Sequence, residues 1–91
     1  MDKLTNSQIQ QKRAEAQQID VSLHVGKNGV TPATIEELSA QLKKRKLVKV
    51  RLLPAATEGG ASDTNQAQAL AEGTNSLLIE TRGHTAVFFR P

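Results

Sequence analysis

A chain of 91 residues, 37% of them hydrophobic and 23% charged, has material for one compact core and not two, since a domain this short buries only about 60% of its unfolded surface. It contains no cysteine, which excludes disulfide staples, thiolate metal sites and a cysteine nucleophile, and fits a reducing, cytoplasmic setting. The formal charge of +3 favours polyanionic partners, while no apolar run approaches the ~20 residues of a membrane-spanning helix and Met1 to Gln18 lacks the apolar centre of a signal peptide.

The chain opens with good helix formers: Leu4 to Gln18, within an N-terminal helical segment over 1–18, places Ile9, Arg13 and Ala16 on one thin stripe. Val21 to Val25 alternates apolar and polar residues as a half-buried strand does, and Gly26 ends it. After Gly26-Lys27-Asn28-Gly29, Thr31 supplies a capping hydroxyl before Pro32 at the first position of a second helix. In that helix Ile35, Leu38 and Leu42 form the apolar stripe, with Glu36 and Glu37 near its start and Lys43 to Lys46 at its close, both matched to the macrodipole. Leu47 to Leu53 reads as a strand with Val48, Val50 and Leu52 inward and Lys49 and Arg51 on the other face.

Pro54 to Ser62, holding Gly59-Gly60, has no periodicity and reads as a surface loop. Asp63 can cap a third helix whose Ala67, Leu70, Ala71 and Thr74 share a face, with Gly73 as its stop. Leu77 to Arg82 and Thr85 to Arg90 form a hairpin through Gly83-His84, where glycine at the first central position suits a type II′ turn. The order α-β-α-β-α-β-β predicts an α/β fold, a two-layer sandwich with a mixed four-stranded sheet. Its core is expected to join Val21, Leu23, Val25, Val48, Val50, Leu52, Leu77, Ile79, Val87 and Phe89 to Ile35, Leu38, Leu42 and Leu70. Phe88 then falls under the first helix or is partly exposed.

Gly26-Lys27-Asn28-Gly29 has what a phosphate-gripping loop needs: glycines that admit close backbone approach, Asn28 tolerant of the left-handed region, a cation in Lys27 and a helix N-terminus behind it. K-homology domains clamp nucleic-acid backbone with a Gly-X-X-Gly loop of this type. The bland alternative is a strand-to-helix turn that uses glycine for its conformation alone. The spacing is not that of the nucleotide-hydrolase phosphate loop, because Lys27 stands inside the loop and not after its last glycine.

Val25-Gly26-Lys27-Asn28-Gly29-Val30-Thr31, the run Leu42-Lys43-Lys44-Arg45-Lys46-Leu47-Val48-Lys49-Val50, and the closing Arg82-Gly83-His84-Thr85-Ala86-Val87-Phe88-Phe89-Arg90 together resemble the CRM domain, the YhbY-like RNA-binding family, from about Val21 to Arg90. The chain is similar to stand-alone single-domain members over 1–91, and its last segment is most like archaeal ones. The resemblance implies a fold similar to the C-terminal domain of translation initiation factor three, with RNA bound near the glycine loop and the adjacent basic helix. It also implies a partner in ribosomal RNA or the precursor of the large ribosomal subunit. Val30 where leucine is common, a Gln-rich first helix and a Gly-Ala-Ser stretch at 59 to 62 depart from the family pattern.

The RNA-contacting set expected on this reading is Gly26, Lys27, Asn28, Gly29, Thr31, Lys43, Lys44, Arg45, Lys46, Lys49 and Arg51. Lys43 to Lys46 read equally as solvated cations at a helix C-terminus, and adjacent helical positions let about two of them reach one ligand. With Phe88 and Phe89 the only aromatics, base stacking is nearly closed off and recognition is expected to be of backbone and shape. His24 and His84 lack metal-ligand spacing, and no nucleophile, base and acid are arranged as a catalytic set, so no metal, cofactor, enzymatic activity or small-molecule substrate is expected. A protein-interaction adaptor whose basic face meets an acidic protein is the rival reading.

Overall fold

The computed structural model describes residues 5–26, 29–52 and 63–90, with 63 and 64 for their backbone alone. Lys27, Asn28 and the predicted loop Pro54 to Ser62 lie outside the described residues. Helix α1 (Asn6–Ala16) leads to β1 (Leu23–Val25), α2 (Pro32–Arg45), β2 (Leu47–Leu52), α3 (Asp63–Thr74), β3 (Leu77–Arg82) and β4 (Thr85–Phe89). This is the predicted order, and the sheet is mixed: β1 runs parallel to β2, β4 antiparallel to β2 and β3, in the order β1-β2-β4-β3.

Local chemistry explains the helix ends. Thr5 and Gln8 form a reciprocal capping box on α1, the Gln8 N–H donating to Thr5 Oγ1 at 3.2 Å and the Thr5 N–H to Gln8 Oε1 at 2.8 Å. Thr31 caps α2 as expected, accepting from the Thr34 N–H at 3.2 Å with Pro32 following. The stop of α3 is not Gly73, which stays inside the helix, but Asn75 at φ 54. The Ser76 N–H reaches the Ala71 carbonyl at 2.9 Å and the Asn75 N–H that of Glu72 at 3.3 Å, which is the Schellman arrangement. Gly73 is needed for close approach instead: a Cβ there would stand 2.7 Å from Ile35 Cδ1 on α2. Asn75→Ala is expected to cost about 1 kcal/mol, because alanine resists the left-handed region, whereas Asn75→Gly is expected to be near neutral; urea unfolding midpoints check both.

The sheet is covered on both faces. Val25, Val48, Val50, Leu52, Ala86 and Phe88 point to one side and pack with Leu38 and Leu42 of α2 and Ala67, Leu70 and Ala71 of α3. On the other side Ile79 and Val87, with Leu47, Leu77 and Phe89, pack against Ile9 and Ala16 of α1. The helix thus adds partial cover beyond the predicted sandwich, and it corrects four core assignments: Leu77, Ile79, Val87 and Phe89 face α1, while Phe88 is the residue buried beneath α2 and α3. Phe88 stands opposite Val48 on β2 and Leu78 on β3, and that register sets its face. Val21, half-buried, precedes β1 and belongs to neither cluster.

A bulge in β3 shifts the pairing from Leu78 opposite Phe88 to Glu80 opposite Val87, so Ile79 and Glu80 together answer one residue and both serve the α1 face. Glu80 meets Arg13 of α1 at 3.7 Å. The hairpin closes as predicted through Gly83 at φ 57, and among described non-glycine residues only Lys46 and Asn75 have positive φ, so His84 does not, as a type II′ turn requires.

Candidate nucleic-acid interface

β1 delivers the chain to Gly26 at the end of the sheet where β2 also finishes, since Val25 pairs with Leu52. The Gly83-His84 turn lies at this end too, its His84 carbonyl accepting the Leu52 N–H at 2.6 Å. The Gly29 N–H donates to the Gly26 carbonyl at 3.0 Å, just before α2 begins. Gly29 takes φ 68, where only glycine sits without strain, and the Gln66 amide of α3 lies 3.5 Å from the place a Cβ would occupy. Gly26 is exposed, with no heavy atom of the described residues within 4 Å of its absent Cβ, so a ligand backbone could approach it closely. The N-terminus of α2, capped by Thr31, stands directly behind and contributes partial positive charge.

The predicted cations among the described residues divide into three groups. Arg51, exposed near the end of β2, is close to the glycine-bracketed loop. Lys43, Lys44, Arg45 and Lys46 are all exposed, but α2 carries the chain from the loop back to the start of β2, so they gather at the far end of the domain. With 14 residues in α2, the separation is about 21 Å along its axis. Arg90 joins this far pole: its N–H donates to the Lys46 carbonyl at 2.9 Å and its guanidinium to Ser39 Oγ at 3.0 Å. Lys49 lies between the ends, half-buried, with Nζ donating to the Ala16 carbonyl at 3.3 Å, where an ammonium complements the C-terminus of α1.

Gly26, Gly29, Thr31 and Arg51 therefore lie at one end of the sheet, Arg51 on its α1-side face, while Lys49 is engaged with α1 and Lys43 to Lys46 form a separate pole. The expected set joins the loop to the adjacent basic helix end, and the 14-residue length of α2 parts them. Arg82, outside the expected set, is exposed across the sheet from Arg51, and pairing of both with Thr85 puts the two on one face, which the alternation of the hairpin strands could have signalled.

A mixed four-stranded sheet flanked by three helices, with a glycine-bracketed link between its first strand and second helix, is the architecture of a small α/β domain. The chain belongs to the CRS1 / YhbY (CRM) domain family, which matches residues 4–90. It is 34% identical over 88 residues to the Probable RNA-binding protein YqeI of Bacillus subtilis, covering 96% of this chain and 88% of that one. It is 33% identical over 90 residues to the Probable RNA-binding protein MJ0652 of Methanocaldococcus jannaschii, covering 98% of this chain and 65% of that one. The solution structure of the hypothetical protein SAV1595 of Staphylococcus aureus, a candidate RNA-binding protein, superposes with a TM-score of 0.81 at 28% identity, covering 98% of this chain and 90% of that one.

Proposed function

We propose that this protein binds RNA by its sugar-phosphate backbone at the loop end of the sheet, and that its target is ribosomal RNA in the assembling large subunit. The observation that carries the reading is the exposed Gly26 and the left-handed Gly29 bracketing two residues in front of a capped helix N-terminus. Those two residues are Lys27 and Asn28, which the sequence supplies as a cation and a polar amide. Glycine removes side-chain bulk from the approach path, and a helix N-terminus favours negative charge. The names of YqeI and MJ0652 support RNA as the ligand class. The likeness to stand-alone CRM proteins supports the ribosomal target, and nothing in the reading calls for enzymatic chemistry.

The test is RNA affinity over a salt series, with structured fragments of large-subunit ribosomal RNA as ligands. Wild type is compared with a Lys27→Asp, Asn28→Asp double variant that keeps both glycines. Wild-type binding is expected to fall steeply with salt, and the double variant to lose at least about tenfold in affinity while its thermal unfolding stays unchanged. Equal binding by the two folded proteins would reduce the loop to a turn. Comigration of the protein with large-subunit precursors on gradients, lost on raising the salt, is the expected sign of the ribosomal target.

A further inference from the structure

We propose a second phosphate-binding surface on the α1-side face of the sheet, a row of His24, Arg51, Thr85 and Arg82, over which an RNA strand gripped at the glycine loop continues. The inference rests on the RNA reading above and extends it from Arg51 across the rest of that face.

The row follows from strand register. His24 pairs with Arg51, Arg51 with Thr85 and Thr85 with Arg82, so one side chain from each of the four strands stands in line on one face. At ~4.8 Å between strands, Arg51 and Arg82 are about 10 Å apart with the Thr85 hydroxyl between them. Three successive rows cross this face from the far end toward the loop. Leu47, Phe89 and Leu77 are apolar and packed with α1; Lys49, Val87 and Glu80 are mixed; the third row is cationic. α1 ends at Ala16, beside the second row, and His24, Arg51 and Arg82 are exposed. Below the third row lies an open depression of about 110 Å³ lined by Gln17, Lys49, Glu80, Arg82, Thr85 and Val87.

Use of the other cations separates this row from ordinary surface charge. On the same face Arg13 meets Glu80, Lys12 meets Glu15 and sits 4.5 Å from the centre of the Phe89 ring, and Lys49 meets the Ala16 carbonyl. Each of these holds α1 in place. Arg51 and Arg82 form no ion pair among the described residues, and no carboxylate stands in their row. The negative end of the α1 dipole, which would repel an anion, is met by Lys49. Two guanidiniums held in register, with no ion pair among the described residues, offer a phosphate strand paired donors that a compact ammonium lacks. His24 is two residues from Gly26, about 7 Å along the chain, so Gly26 and the row lie at the same end of the sheet.

The test measures binding of the full chain to a fluorescein-labelled RNA hairpin with a single-stranded uridine tail, over a salt series. It compares wild type, the Lys27→Asp, Asn28→Asp variant and an Arg51→Gln, Arg82→Gln variant. The arginine variant is expected to bind on the order of tenfold more weakly, with the slope of log affinity against log salt reduced by about 1.4 to 1.8, as two lost phosphate contacts require. Single Arg51→Gln and Arg82→Gln variants, each expected to lose about half that slope, decide the matter should the double variant unfold. If wild type and the loop variant differ but the arginine variant keeps wild-type affinity and slope, the row is no RNA surface and the loop reading survives. If wild type binds no RNA, both fall.

Discussion

Phe88→Ala is expected to destabilise the domain by about 3–5 kcal/mol, a large part of the roughly 5–14 kcal/mol available to a chain of this size. Phe88 is fully buried, the largest of the side chains that are, in the cluster uniting β2, β4, α2 and α3. Truncation would open a cavity between Val48 and Leu78, its partners across the sheet, that strands and two helices cannot all close. Phe89→Ala should cost less, about 1–2 kcal/mol, because its ring is half-exposed and part of its contact is with the Lys12 ammonium. Urea unfolding of the two variants measures the ordering; a larger loss at Phe89 would mean that the hairpin pairs with β2 in the opposite phase.

The second large effect concerns the two cationic ends. Neutralising the far pole with Lys43→Gln, Lys44→Gln and Arg45→Gln is expected to weaken RNA binding about tenfold or more and lower the salt slope by about 1.4 to 1.8. Three charges are removed, but successive helical positions diverge, so about two contacts are lost. The pole lies about 21 Å from the loop along the 14 residues of α2, so its effect should add, in free energy, to that of the loop variant. Combining both sets in one protein and measuring affinity for a long structured RNA tests this. A combined loss equal to the loop loss alone would mean that the pole never touches the RNA. On a hairpin too short to span both ends, the pole substitutions should have much less effect than on the long RNA.

The separation of the ends recasts how such a domain would hold its target. A single phosphate cannot be shared between Gly26 and Lys43, so on the proposed reading each end would meet a different segment of RNA. The arginine row would instead extend the loop's own contact, since it lies on the same end of the sheet. Stability and binding are then divided among cations of one sign: Arg13, Lys12 and Lys49 fasten α1, while the exposed remainder faces outward.

Much of this was legible in the sequence by itself. Element order, the Thr31-Pro32 helix start, the Gly83-His84 turn and the glycine-bracketed loop are set by local chemistry, where propensity, capping and permitted φ act within a few residues. The inward set Val48, Val50 and Leu52 was legible too, because Lys49 and Arg51 break the apolar run and give the alternation a phase. Ala86-Val87-Phe88-Phe89 offers no such mark: four consecutive apolar residues suit burial on both faces equally. Only pairing with β2 and the docking of α1 on the second face assigned Phe88 and Phe89. Tertiary structure likewise decided the Ile79 bulge, the use of Gly73 for contact with Ile35, and the distance between loop and basic cluster. Each depends on which surfaces meet across the fold, and local sequence carries the preferences of a segment but not the identity of its neighbour.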